Sequence, residues 1–319
     1  MMDCTDRHDR YFLRLISKNV MLYSEMVATK SAIHGDRKKI LSYRDEEKPL
    51  ALQVGGSDKN ELVEVTKIAE GMGYDEVNLN LGCPSKKVQK NKFGACLMKE
   101  PDLVSECINA MTNSCKIPIT VKTRIGYDDV EDFDYLNKFI NKLNEAGCKT
   151  FILHARKAML SGLSPKQNLN IPKLNYEMVY KIKEKNPNLE IIINGGISKT
   201  EEIFKHLNFS DGVMIGRAIY QNPYFLAEIE KKFFNNNNIL SRTEVAEKLV
   251  DYVKDEVKKG TKVNHIMRHT VGLYYGQSGA NKWKRYLSEN MMARDSDFQK
   301  VNHIMKIAQN NEKINQMNK

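Results

Sequence analysis

Short apolar, β-branched runs alternate with helical periodicity from residue 20 to residue 216, and that alternation leaves few folds open. Strand candidates fall at 20–26, 51–55, 77–82, 119–124, 151–155, 190–194 and 212–216. Between them lie KNELVEVTKIAEGMG, DLVSECINAMTNSC, DFDYLNKFINKLNEAGC, YEMVYKIKEKNP and KTEEIFKHLN. In the first of these Leu62, Val65, Ile68 and Ala69 share one face, and Gly71 and Gly73 end it. Regular strand–helix alternation with nearly continuous apolar strands is the pattern of parallel βα units. A closed (β/α)8 TIM barrel needs eight strands. This chain offers seven and opens on helix-like sequence, with Thr5-Asp6 able to cap it and Phe12, Leu13 and Ile16 at helical spacing. The expected fold is therefore an α/β (β/α)8 barrel whose first strand would precede Met1. An open, doubly wound sheet is the alternative.

Strand signals stop near Leu240. Ser241 and Glu244 form a capping box at the head of SRTEVAEKLVDYVKDEVKKG, and further helical stretches follow around 262–275, 279–291 and 298–310. Two domains are expected: a catalytic barrel over 1–235 and an all-helical domain over 240–319. The run Asn235 to Asn238 reads as a loop between them. The second domain carries fifteen Lys/Arg against nine Asp/Glu, and the whole chain of 319 residues has a formal charge of +10. Such a balance favours a polyanionic partner. Six cysteines are scattered without metal-ligand spacing, so free thiols, a reducing compartment and no metal site are expected. No apolar run is long enough to cross a bilayer, so no membrane partner is expected.

The chemistry is expected between Asn78 and Met98, NLNLGCPSKKVQKNKFGACLM. An apolar strand breaks there at Gly82-Cys83-Pro84, which sets a thiol just past the C-terminal end of a strand, where barrel enzymes keep their active sites. Lys86, Lys87, Lys90 and Lys92 follow and point to an anionic substrate. Other strand ends carry Gln53, Asn80, Lys122 with Arg124, His154 with Arg156, Asn194-Gly195-Gly196 and Gly216-Arg217. The last two groups suit a phosphate, because glycine lets backbone N–H groups approach an anion. Taken singly, each has a plainer reading: a satisfied polar group for Gln53 or His154, a turn for the glycines. Polar groups after most strands together favour a cofactor mouth able to hold a flavin mononucleotide.

The blocks NLNLGCPSKKVQKNKFGACLM, VKTRIG, HARKAMLSGLSPK, INGGI, DGVMIGRAIYQNP and KWKRYLSEN resemble the tRNA-dihydrouridine synthases, specifically their A subfamily, over nearly the whole chain. The resemblance implies an FMN enzyme that uses NADPH to reduce the C5–C6 double bond of a uridine in the tRNA D-loop, at position 20 or 20a. It implies that hydride reaches C6 and that Cys83 is the general acid that protonates C5. A thiol with a pKa of roughly 8.5 is protonated at neutral pH and fits that role. It places Asn80 near the uracil, and Gln53, Lys122, His154, Asn194, Gly195, Gly196, Gly216 and Arg217 against FMN. It makes Lys166, Lys284 and Arg285 candidate tRNA contacts, with Trp283 expected in the core of the helical domain. The family also carries arginines where this chain has Leu169 and Asn281, and a strand ending in Ala-Pro ahead of Met1. tRNA is the expected partner, and a cytoplasmic monomer the expected state; an organelle is the alternative if a leader precedes Met1. Two other readings are an FMN barrel reductase of a free pyrimidine, which the basic helical tail disfavours, and a flavin-deficient tRNA-binding protein. Cys96, Cys107, Cys115 and Cys148 are expected to pack as small apolar groups.

Overall fold

In the computed structural model, which describes residues 1–290, strands appear at every position where β-branched runs predict them. They are β1 (Leu22–Tyr23), β2 (Val27–Ala28), β3 (Leu50–Gly55), β4 (Glu76–Leu81), β5 (Ile119–Arg124), β6 (Thr150–His154), β7 (Glu190–Asn194) and β8 (Gly212–Met214). All pairings are parallel. The order is β1-β3-β4-β5-β6-β7-β8, with β2 also on β3. Among the described residues β8 pairs only with β7, so the ladder runs from β1 to β8 without a closing pair. This is the parallel βα sheet of the TIM-barrel class, as expected. The helix expected over 298–310 lies outside the described residues.

Of the expected strand over 20–26 only Leu22–Tyr23 forms, with a second short strand, Val27–Ala28, beyond it, and Ser24 is the reason for the break. Its backbone N–H still donates to Ala51 O at 3.0 Å. Its Oγ, however, accepts the Gln53 N–H at 2.9 Å, so a side chain takes a ladder position from the backbone. β3 to β6 are the core. Leu50, Ala51, Leu52, Val54, Val77, Leu81, Val121, Phe151, Ile152 and Leu153 show no exposed surface, each large side chain contributing about 1.5–3 kcal/mol of burial. The intervening helices cover the sheet with narrow apolar stripes, such as Leu136, Phe139, Ile140 and Leu143 of Phe133–Glu145. Asp58, Asp132 and Asn175 cap three of them with side-chain oxygens.

The chain divides into two compact units, one of Leu22–Tyr43 and Pro49–Ile215, the other of Met1–Met21, Arg44–Lys48 and the chain from Gly216. The second unit is helical, with Arg7–Ile16, Phe225–Phe233, Arg242–Lys258 and Ala280–Asn290 as its longer helices. Asp6 caps the first of these, as expected, accepting the N–H groups of His8 and Asp9. The Ser241–Glu244 capping box closes reciprocally at 3.2 and 2.7 Å. Polar contacts, some of them buried, bind the N-terminal helix and residues 44–48 into this unit. Arg10 Nε donates to Glu47 at 2.8 Å, and Arg44 donates to Glu256 at 2.7 Å. Glu230 gathers the Ser17 hydroxyl and both nitrogens of Asn19.

Candidate active site

β4 delivers Asn80 and Cys83 to its C-terminal end, and one side chain organises the turn there. Asn80 Oδ1 accepts the N–H groups of Gly82 and Cys83, each at 3.0 Å. Its Nδ2 donates to Gln53 Oε1 on β3 at 2.7 Å. The other side of Cys83 is closed by Gly94, at φ +78°, where a Cβ would lie 2.6 Å from the Cys83 carbonyl oxygen. That same carbonyl accepts the Ala95 N–H at 2.9 Å. The polar stretch after Cys83, read as a loop, folds into a short helix, Lys86–Lys90, and a 3-10 segment, Gly94–Lys99.

The thiol sits half-buried. Burial pushes it up from its ordinary range, against the Ser85 N–H and the Arg124 charge, which both favour the thiolate. The thiol therefore holds its proton more firmly than the sequence-based value of an unperturbed cysteine.

β5 brings Lys122 opposite Asn80. Lys122 Nζ donates to Asn194 Oδ1 on β7 at 2.9 Å, and Asn194 Nδ2 donates to Met214 O on β8 at 2.8 Å. Lys122 keeps part of its surface open, yet its ammonium is surrounded by protein. Burial, reinforced by the Arg124 charge, pulls its pKa down to about 7. Arg124 is 3 % exposed and spends its donors on backbone: Nε to Gly82 O at 3.2 Å, and Nη1 to Lys157 O at 3.2 Å and Asn168 O at 3.1 Å. One guanidinium thus ties the turn ahead of Cys83 to the loop after β6. Burial lowers its pKa to about 10.

His154 ends β6, in register with Arg124 on one side and Asn194 on the other. Gly195 and Gly196 follow at φ +124° and +74°. A Cβ on Gly195 would lie 2.7 Å from the His154 ring, so bare backbone is a steric requirement here. The Tyr176 hydroxyl donates to Gly195 O at 2.6 Å.

Gln53, Asn80, Cys83, Lys122, His154, Asn194, Gly195 and Gly196 are thus linked through adjacent strand ends within one unit. Gly216, Arg217, Lys284 and Arg285 belong to the other unit. There Arg217 is exposed at the head of Arg217–Gln221, and Lys284 and Arg285 are exposed on Ala280–Asn290. Trp283 is wholly buried and donates Nε1–H to Thr270 O at 2.8 Å, which makes it a core residue as expected. Lys166 is exposed just before the turn Gln167–Leu169.

Sequence reasoning missed Asn168 and Tyr176. Asn168 is fully buried and pins its loop through Met159 N–H at 2.7 Å and Met159 O at 3.0 Å. An Asn in a polar loop gives no sign of burial. Tyr176, the first residue of its helix, gives no sign of reaching a glycine carbonyl just past the next strand.

The family described as dihydrouridine synthase (Dus) matches residues 1–311. The tRNA-dihydrouridine(20/20a) synthase of Shewanella oneidensis is 51% identical over 291 residues, covering 91% of this chain and 87% of that protein. Proteins of the same name from Escherichia coli K12 and a Synechocystis strain are 48% and 47% identical, over 96% and 92% of this chain and 89% and 88% of theirs. Among solved structures, histamine dehydrogenase from Rhizobium sp. 4-9 superposes with a TM-score of 0.52 at 10% identity. That match covers 71% of this chain and 44% of the other, and it speaks to the fold alone. The family match and the near-full-length relatives together show that the chain belongs to the dihydrouridine synthase family, the tRNA-modifying oxidoreductases that its sequence resembles.

Proposed function

We propose that this protein reduces a uridine of the tRNA D-loop, at position 20 or 20a, to 5,6-dihydrouridine, with FMN as prosthetic group and NADPH as reductant. The observation that carries the reading is the placement of Cys83, a half-buried thiol with a raised pKa, its backbone held by Asn80 one strand from Lys122. The residues present fit a flavin. Lys122 is a desolvated ammonium whose hydrogen-bond partner is a neutral amide, Asn194, and an electron-rich ring edge at that point relieves its burial cost. Gly195 and Gly196, at positive φ, bring bare backbone against the His154 ring, Leu174 and Tyr176, where a Cβ has no room. Gln53 adds an amide to the same strand-end row. When bound, reduced FMN supplies the hydride that uracil C6 accepts.

The protein's own part is binding and proton transfer. The base must leave the RNA stack to reach a strand-end site. Cys83 Sγ–H then gives its proton to C5 as negative charge develops there, and solvent later restores it. A raised thiol pKa keeps the proton in place before reaction. The Ser85 N–H and the Arg124 charge, which lower that pKa, stabilise the thiolate afterwards. Asn80 fixes the Cys83 backbone, so the thiol needs no rearrangement at the moment of transfer.

The test is dihydrouridine mapping in tRNA treated with the flavin-loaded protein and its Cys83→Ala variant. Loss of about 10²–10⁴-fold in product formation with flavin and tRNA retained is expected. Equal turnover by the two proteins would remove Cys83 from the acid role. Absence of dihydrouridine with wild-type protein, flavin and NADPH would sink the whole reading.

A further inference from the structure

The segment that follows Cys83 presents a row of cations that the proposed proton transfer does not use. Lys86, Lys87 and Lys90 occupy one short helix and Lys92 the turn after it, at φ +55°. All four are exposed. At 100° per residue, Lys86, Lys87 and Lys90 fall on one side of the helix, and Val88, which is buried, on the other. No carboxylate among the described residues pairs with any of the four, whereas the next lysine along, Lys99, is held by Asp128 at 3.1 Å. A surface helix of ordinary solvating function is normally mixed in charge. This one has three lysines in five residues and no acid.

The row is also fixed in place relative to the thiol. Gln89 Nε2 donates to Pro84 O and to Leu160 O, each at 2.9 Å, so one amide ties the helix to the residue after Cys83 and to the loop after β6. Phe93 packs on Gly55, where a Cβ would lie 2.7 Å from its ring. Val88 packs on Gly94, which backs Cys83. The lysines are therefore carried on a braced element within a few residues of the proton donor, with exposed side chains on a packed base. That is the arrangement needed to grip a backbone whose phosphates repeat while its bases vary.

We propose that Lys86, Lys87, Lys90 and Lys92 form a phosphate rail that holds the ribose–phosphate backbone of the single-stranded RNA segment on either side of the nucleotide presented to Cys83. This rests on the reading of the site as one that takes an extruded uridine of tRNA. It goes beyond that reading in assigning the strand flanking the target to this helix, separately from Lys166, Lys284 and Arg285. Single-strand phosphates neutralised by lysine release counterions, and each contributes about −0.7 to the slope of log K against log salt concentration. The rail therefore contributes up to about −2.8 to that slope if all four lysines are engaged.

The test uses the full-length, flavin-loaded protein and unmodified tRNA. With the four lysines changed to alanine, tRNA affinity is expected to fall more than tenfold and the salt slope to flatten by about 2 to 3. The quadruple Lys→Arg variant is expected to keep both. Wild-type affinity and slope in the alanine protein would overturn the rail. Should the alanine protein not fold, lysine-reactive labelling of the wild-type protein decides. tRNA is expected to protect Lys86, Lys87, Lys90 and Lys92 but not Lys67 or Lys138, which are exposed on the helices Lys59–Gly71 and Phe133–Glu145. Equal labelling with and without tRNA would overturn it. Binding is measured without turnover, so a protein that grips tRNA through the rail yet makes no dihydrouridine would refute the proposed reaction and not the rail.

Discussion

Asn80 Oδ1 accepts the Cys83 N–H at 3.0 Å while Asn80 Nδ2 donates to Gln53 at 2.7 Å, so one amide fixes the turn before the thiol and anchors it to the neighbouring strand. Replacing Asn80 with alanine removes both functions. The N–H groups of Gly82 and Cys83 lose their acceptor, and Gln53 loses its donor. A displacement of about 1 Å in a catalytic group costs on the order of 10²-fold in rate. Asn80→Ala is thus expected to lower single-turnover dihydrouridine formation at saturating tRNA by about that factor, with faster reaction of Cys83 toward thiol reagents. Asn80→Asp, which keeps the acceptor, is expected to retain the slow thiol-reagent rate. If Asn80→Ala weakened tRNA binding alone, with the single-turnover rate at saturation unchanged, Asn80 would be a base contact without a positioning role.

Arg124 bridges three carbonyls, those of Gly82, Lys157 and Asn168. Lysine carries one nitrogen and cannot reproduce a fork that spans two loops. Arg124→Met leaves buried acceptors unpaired at about 1–3 kcal/mol each. Urea unfolding is expected to show a loss on the order of 3 kcal/mol, with Arg124→Lys recovering only part of it. Activity at low urea is expected to fall by more than the unfolded fraction explains, since the turn ahead of Cys83 loses its tie. A variant with wild-type stability would show that the three carbonyls find water instead.

These two residues also mark how far the sequence alone can be read. The strand ends were legible because β-branched runs break at polar residues, so Asn80, Cys83, Lys122 and His154 could be named. The Ser241–Glu244 box was legible because both halves lie within four residues. What Arg124 does was not, because its three acceptors lie 42, 33 and 44 residues away and carry no side-chain signature. The break at Ser24 was not, because its hydroxyl replaces a ladder bond to a strand that begins at Leu50. The grouping of residues 1–21 and 44–48 with the helices after Gly216 rests on buried pairs such as Arg10 with Glu47, which periodicity cannot register.

Lys122 makes stability depend on pH in a calculable direction. Burial depresses its folded-state pKa to about 7, while an unfolded lysine titrates near 10.4. Between those values the unfolded chain binds more protons, so stability rises with pH across that window. Below about 7 both states are charged and the folded protein bears the full cost of the buried ammonium. In flavin-free protein, Lys122→Met is expected to raise the melting temperature at about pH 6 and to flatten the rise between about pH 7 and 10. Melting curves of the two proteins at about pH 6, 8 and 9.5 check this. Parallel pH dependence in both would mean that Lys122 is solvated in the folded state.

Trp283 and its neighbours Lys284 and Arg285 share a helix but are expected to fail in different ways. Trp283 has no exposed surface and donates to Thr270 O, so Trp283→Ala opens a cavity and strands a carbonyl, costing about 3–5 kcal/mol. Trp283→Phe keeps most of the volume and loses the hydrogen bond, costing about 1 kcal/mol. Lys284 is exposed, and Arg285 pairs with Glu289 at 2.8 Å across one exposed helical turn, a contact of a few tenths of a kcal/mol. Lys284→Ala with Arg285→Ala is therefore expected to leave thermal stability within about 0.5 kcal/mol, while tRNA affinity and its salt slope both fall. Denaturation and tRNA binding measured on the same four proteins separate the cases. A Trp283→Phe protein that loses tRNA affinity without losing stability would make the indole an RNA-stacking group, and a destabilised Lys284–Arg285 double variant would make that helix face structural.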